Sequence, residues 1–440
     1  MRIVHCADIH LGRRRLDGRL PDSDFATALG HVVRRAVEWK AHVFLIAGDL
    51  FDTPQIPPPT LRQAAEALAP LQKARIPVLA IEGNHDRYVL DGARPTWVRY
   101  LAEEGLLTLL STPFSPDGPH LAEYDARAAC GSWLVLDEVR FVGAGYLGAG
   151  TIRKTQALLA GLPPHRGPTV MLLHAGPEYF VGEGGGFDRE TLALLRDRVT
   201  YLALGHMHKP LTFGDEPGRS WAINPGSVEN CRLDEADRAG LRGYAEIEID
   251  PRALPGMERV SAIIKEVPRR PVATVELDVT PFGNKTKRGM EAIAEAALET
   301  LRGKRLPPET AVRLILTGEL NIGRIALDPE GLGRELGVRA GVAAVEASTD
   351  RLRFFTGRGN AGQPSFHRTT AEIEREALDE ILRERPPEDL DDRLADVAEL
   401  AIALRGMVER GVTTEAVLEL LEQSPLPAAL AEARAKGLGL

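Results

Sequence analysis

The sequence predicts an α/β fold: a four-layer αββα sandwich, followed by a small α+β domain and a helical carboxy-terminal tail. Three observations carry this expectation. In the first half, apolar runs of strand length alternate with helical stripes. Past Leu107 a further group of short apolar stretches calls for a second sheet. Beyond a Pro-rich seam at Val267 to Pro271 the strand and helix pattern restarts on a smaller scale, then gives way to helix alone.

Ile3 to Ala7 reads as a buried strand that stops at Asp8 and His10. Asp22 and Ser23 stand where a helix cap belongs, ahead of Phe25, Leu29, Val32, Val33 and Val37 at helical spacing. Val43 to Ala47 is the next strand, and Gly48 lets the backbone turn sharply so that Asp49 emerges at its end. After the Pro57 to Pro59 breaker, Leu61, Ala64, Ala65, Leu68 and Leu71 mark a second helix. Both helices are expected to be crossovers between sheet strands. Val78 to Ile81 runs into Gly83, Asn84, His85 and Asp86. Ala128 to Leu136 and Val139 to Ala144 suggest antiparallel strands of the second sheet, Val170 to Leu173 ends at His174, and Tyr201 to Leu204 ends at Gly205, His206 and His208. These loops are expected to open on one rim, outside the carboxyl ends of the strands, where the crevice of an open α/β sheet lies. A lone histidine after a strand is more often structural than catalytic. Five strand ends in series, each stopping at metal-capable residues, are not easily accidental.

The seam ends the first region at about residue 267. Ala273 to Val279, Ala311 to Thr317 and Val342 to Ala347 then read as strands and Met290 to Leu301 as a helix, giving a domain over 271–355. A Gly- and Pro-containing linker over 356–369 leads to a helical tail over 370–440. Ile373, Ala377, Leu378, Ile381 and Leu382 form one stripe there; Leu390, Leu394, Val397, Leu400, Leu404 and Met407 form another beyond Pro386 and Pro387.

A chain of 440 residues exceeds what one core normally organises, in keeping with this division. A net charge of −9 argues against a broadly basic coat for nucleic acid, while a local basic groove or bound cations would still receive an acidic substrate. Cys6, Cys130 and Cys231 are scattered and show no CxxC spacing, which supports neither a zinc knuckle nor a disulfide framework and fits a reducing, cytoplasmic setting. No apolar run approaches the length of a membrane span, and strand-like sequence begins at Arg2 without a leader, so a soluble chain that is not exported is expected.

Asp, Asn and His offer oxygen and imidazole nitrogen without thiolate, a set that suits Mn²⁺, Fe²⁺ or Zn²⁺ better than Mg²⁺ or Ca²⁺. Two such ions roughly 3.5 to 4 Å apart, bridged by Asp49, would activate a water and clamp a phosphoryl group for in-line attack, so phosphoester hydrolysis is the natural use. His85, between Asn84 and Asp86, is placed to protonate a leaving alkoxide as general acid, with Asp52 accepting its other N–H and so orienting it.

DxH at Asp8 to His10, GDxxD at Gly48 to Asp52, GNHD at Gly83 to Asp86, His174, and GHxH at Gly205 to His208 resemble the full calcineurin-like metallophosphoesterase signature in its order. Within that superfamily the opening HCADIHLG and the later NPGSVE at Asn224 to Glu229 are similar to the SbcD-type (meiotic-recombination-type) DNA repair nucleases. The resemblance implies two divalent ions, with Mn²⁺ expected: Asp8, His10, Asp49 and His208 would hold one, and Asp49, Asn84, His174 and His206 the other. It further implies a nuclease domain over 1–267, a DNA-end-selecting cap over 271–355, and a tail that binds an SbcC-like coiled-coil ATPase. DNA ends as substrate and a homodimer are expected with it. Arg13, Arg14 and Arg15, directly after the DxH loop, are placed to meet a phosphate backbone. The alternatives are a stand-alone phosphodiesterase for nucleotides or small phosphoesters, and an inactive scaffold, which the intact ligand set argues against.

Overall fold

A computed structural model of the chain describes residues 1–87, 95–181, 185–214, 220–237, 242–253, 260–282, 286–320, 327–354 and 394–409, with isolated positions at 375, 378, 382, 420 and 424. The chain divides into two compact units, Met1–Arg270 and Pro271–Leu440.

The first unit begins with β1 (Arg2–Cys6), α1 (Ser23–Glu38), β2 (Val43–Ala47), α2 (Pro58–Lys73), β3 (Val78–Ile81), α3 (Trp97–Glu103) and β4 (Thr108–Leu109). A small hairpin of β5 (Phe114–Ser115) and β6 (Gly118–Pro119) follows, then β7 (Trp133–Leu136), β8 (Val139–Gly145), α4 (Thr151–Gly161) and β9 (Thr169–His174). The unit closes with α5 (Glu178–Val181), α6 (Arg189–Arg198), β10 (Tyr201–Gly205), β11 (Leu211–Gly214), β12 (Ser220–Asn224), β13 (Gly243–Ile249) and β14 (Val260–Glu266). The strands form two six-stranded sheets, β14-β13-β1-β2-β3-β4 and β11-β12-β10-β9-β8-β7. β1, β2 and β3 run parallel in one, β8, β9 and β10 in the other.

Strand parity explains the four layers. Successive side chains of a strand face opposite ways. In β2, Val43, Leu45 and Ala47 pack with Val170, Leu172, Tyr201 and Ala203 of the other sheet, while Phe44 and Ile46 pack with Phe25, Leu29 and Val32 of α1 and Leu68 of α2. Met171, Leu173, Leu202 and Leu204 turn outward to Leu158 of α4 and Leu195 of α6. A strand buried on both faces reads as an unbroken apolar run, and all of β2 is buried. His5 crosses this interface, its ring nitrogens 2.9 Å from the Tyr201 hydroxyl and 3.1 Å from the Leu204 carbonyl. Burial lowers its pKa to about 3, so it serves as a neutral polar pin between the sheets.

Two local expectations are corrected. Asp22 occupies the cap position of α1, but its backbone is helical and its side chain makes no capping hydrogen bond. The stretch from Ala128 is turn until Trp133, because Ala129 and Gly131 adopt positive φ (48° and 156°) and Asp125 bridges to Cys130; only then does β7 form its antiparallel hairpin with β8.

In the second unit β15 (Val272–Asp278), α7 (Thr286–Gly303), β16 (Ala311–Leu320), α8 (Pro329–Ala340) and β17 (Ala344–Phe354) alternate, and the three strands are all parallel. Ile293, Ala297, Leu298 and Leu301 of α7 and Leu336 of α8 pack with Val312, Leu314 and Val345 of the sheet. A further helix, α9 (Leu394–Glu409), carries Leu394, Val397, Leu400 and Leu404. The linker 356–369 and most of the first tail stripe lie outside the described residues. Among the described residues no helix is long and apolar enough to cross a membrane.

Candidate metal centre

Backbone geometry assembles the centre before any side chain does. Gly48 turns at φ +91°, and a Cβ there would lie 2.2 Å from His174 Nδ1. A Cβ on Gly83 would lie 2.0 Å from Asp49 Oδ1, so the loops after β2 and β3 approach as only glycine allows. Asp8, His10, Asp49 and His206 themselves hold φ of 51°, 52°, 53° and 90°. Such backbone costs about 1 to 3 kcal/mol per residue and persists where surrounding structure enforces it, typically at functional sites.

The strand ends converge as the sequence predicts. His10 Nε2 lies 3.1 Å from His208 Nε2. Asn84 Oδ1 lies 3.2 Å from His174 Nε2 and 3.0 Å from His206 Nδ1. Asp49 Oδ2 stands between the two groups, 3.2 Å from His174 Nε2 and 3.8 Å from His10 Nε2. Asp8 accepts the His206 amide through Oδ1 at 2.9 Å.

Surrounding groups fix which nitrogen each imidazole presents. His174 Nδ1 lies 2.8 Å from the Ala47 carbonyl and His208 Nδ1 2.8 Å from Glu235 Oε1, so both turn Nε2 into the centre. Burial alone would raise the Glu235 carboxyl, but His208 and Arg242 outweigh it and hold it at about 2. Asp86 accepts the amides of Leu50, Phe51 and Gly83 at 3.3, 2.9 and 2.9 Å and thereby clamps the two loops together. Sequence reasoning missed Glu235, which lies 27 residues beyond its histidine. It also gave Asp86 no role, although the GNHD signal contains it. Glu235→Gln keeps the shape but loses the anionic partner, so ion affinity is expected to fall by roughly 10- to 100-fold, measured by titration calorimetry with Mn²⁺.

His85 donates its amide to Asp49 Oδ1 at 2.9 Å and places Nδ1 2.7 Å from the main-chain carbonyl of Asp52. Asp52 therefore orients His85 through its backbone, not through the carboxylate. That carboxylate instead pairs with Arg13 Nη1 at 2.7 Å and stands 3.2 Å from His10 Nδ1 without hydrogen-bond alignment. The three arginines also part ways. Arg15 is buried, ion-paired with Asp24 and Glu229 and lying over the Phe25 ring, which corrects its expected place on a phosphate backbone. Arg13 is tied to Asp52 and the Cys231 carbonyl. Arg14 is exposed and lines an open groove of about 610 Å³ that also touches Asp52, Pro21 and Thr60.

The donors fit divalent cations. Asp8 is fully buried, burial raises its pKa, and its Oδ2 has no hydrogen-bond partner among the described residues. A buried, unsatisfied carboxylate oxygen is costly unless a cation compensates it. Asp8, His10 and Asp49 place ligand atoms within 4.8 Å of one another. Asp8, His10, Asp49 and His208 would hold one ion, and Asp49, Asn84, His174 and His206 the other.

Fold and donor set together define the chain as a dinuclear, metal-dependent phosphodiesterase. The calcineurin-like phosphoesterase family matches residues 1–210. The chain is 28% identical over 334 residues to the DNA double-strand break repair protein Mre11 of Archaeoglobus fulgidus, covering 74% of this chain and 72% of that protein. It is 28% identical over 304 residues to the Mre11 of Aeropyrum pernix, covering 66% and 68%. Residues 1–210 thus match the calcineurin-like phosphoesterase family, and the chain is similar to Mre11 proteins over 66% to 74% of its length.

Proposed function

We propose that the chain is a Mn²⁺-dependent DNA nuclease that hydrolyses phosphodiester bonds, as exonuclease and endonuclease, at DNA ends during double-strand-break processing. The observation that carries this reading is the convergence of seven oxygen and nitrogen donors on one sandwich rim, with His85 beside them and outside both ligand sets. Divalent ions in such a site activate water and neutralise charge on a transferring phosphoryl group. The protein's own groups do the rest. Asp49 ties the two donor groups together, the Asp52 carbonyl holds His85 with Nε2 left for a leaving oxygen, and Arg14 faces the groove a strand would follow. The relatives named for double-strand-break repair support DNA as substrate.

On the same reading, residues 271–355 select DNA ends, and the tail, of which α9 carries one apolar stripe, docks an SbcC-like coiled-coil ATPase. A homodimer in a cytoplasmic setting completes the proposal. The second reading, a stand-alone phosphodiesterase for nucleotides or small phosphoesters, uses the same centre without a partner. Purified chain assayed on single-stranded, duplex and hairpin DNA, and on bis-p-nitrophenyl phosphate, with Mn²⁺ or Mg²⁺, separates the two. Nuclease activity stronger with Mn²⁺ is expected; turnover of the small diester with every DNA left intact would favour the second reading.

A further inference from the structure

Cys231 belongs to neither ligand set above, yet it lies beside them. Its sulfur and one ring nitrogen from each of His10 and His208 lie within 4.8 Å of one another. The cysteine is buried and free of any disulfide. Its main chain is pinned on both sides: the amide donates to Glu235 Oε2 at 2.9 Å, and the carbonyl accepts from Arg13 Nε at 3.1 Å. Because Glu235 also holds His208 Nδ1 at 2.8 Å, one carboxylate fixes the thiol and the imidazole relative to each other. An independent observation marks the same corner as short of a cation. Asp8 Oδ2 is fully buried and unpartnered among the described residues, and Asp8 shares a ligand cluster with His10.

Resting on the two-ion reading, we propose that Cys231 is a further ligand at the His10 and His208 position, giving the centre a thiolate for thiophilic ions such as Zn²⁺. On binding, the S–H bond breaks, the sulfur lone pair forms the bond to the ion, and the proton leaves to solvent. Thiolate is a soft donor that serves Zn²⁺ well and Mn²⁺ poorly. The same pocket therefore distinguishes the two ions: Zn²⁺ engages the sulfur, and Mn²⁺ leaves Cys231 as a protonated neighbour.

The test is X-ray absorption at the zinc edge on the full chain saturated with Zn²⁺. A sulfur scatterer at about 2.3 Å, beside nitrogen and oxygen at about 2.0 to 2.2 Å, is expected in the wild type and is expected to vanish in Cys231→Ser. A wild-type spectrum without sulfur, or a sulfur shell that survives in Cys231→Ser, overturns the proposal. Should that variant not fold, the Cys6→Ser/Cys130→Ser double variant leaves Cys231 as the only cysteine, and loss of sulfur from its spectrum is the overturning result. Zinc counted in the same samples separates the two levels of the account. Two ions without sulfur remove Cys231 alone, whereas fewer than two remove the dinuclear reading and this proposal with it.

Discussion

Asp49→Ala is expected to strip both ions and reduce phosphodiester hydrolysis to background while the sandwich stays folded. The Asp49 carboxylate is the group that reaches both donor sets, with Oδ2 3.2 Å from His174 Nε2 and 3.8 Å from His10 Nε2. Its other oxygen accepts the His85 amide at 2.9 Å, so truncation also loosens the loop that carries Asn84 and His85. The apolar contacts of β2 come from Val43 to Ala47, which the substitution leaves untouched. Circular dichroism should therefore match the wild type. Metal analysis should find no stable pair, and two ions retained per chain would exclude Asp49 as the bridge.

His85→Ala is expected to keep both ions and DNA affinity yet lose roughly 10²- to 10⁴-fold in turnover, the range that general acid–base catalysis contributes. The Asp52 carbonyl takes Nδ1 at 2.7 Å, which points Nε2 away from that anchor. His85 also packs edge-on against His10, with ring centroids 4.8 Å apart, close enough to reach a phosphate held at the centre. Single-turnover kinetics beside a metal count separates the roles. A variant that lost an ion would make His85 a ligand and leave the leaving group without this proton donor.

Much of this was legible because the sandwich imposes a simple code on sequence. A parallel strand covered on both faces must be apolar throughout, so Val43 to Ala47 and Tyr201 to Leu204 announce themselves, and the first polar residue after each falls on the rim. α8 was less visible. Gly331, Gly333 and Gly337 dilute its helical signal, although Asp328 capping Gly331 at 2.8 Å, Pro329 in the first turn and Gly341 in the left-handed region mark both ends. The partners of the site residues could not be read at all. Glu235 reaches His208 from 27 residues further along the chain, beyond two intervening strands, and Asp52 offers its carbonyl where its side chain was the natural expectation. Arg13, Arg14 and Arg15 are adjacent in sequence and chemically alike. Only tertiary structure separates one buried under α1, one paired with Asp52 and one facing the groove.

Anomalous diffraction from crystals of the full chain grown with Mn²⁺ tests the dinuclear centre most directly. Two peaks are expected, roughly 3.5 to 4 Å apart, with Asp49 between them, one beside Asp8, His10 and His208 and the other beside Asn84, His174 and His206. A single peak, or a pair that Asp49 does not touch, would contradict the account.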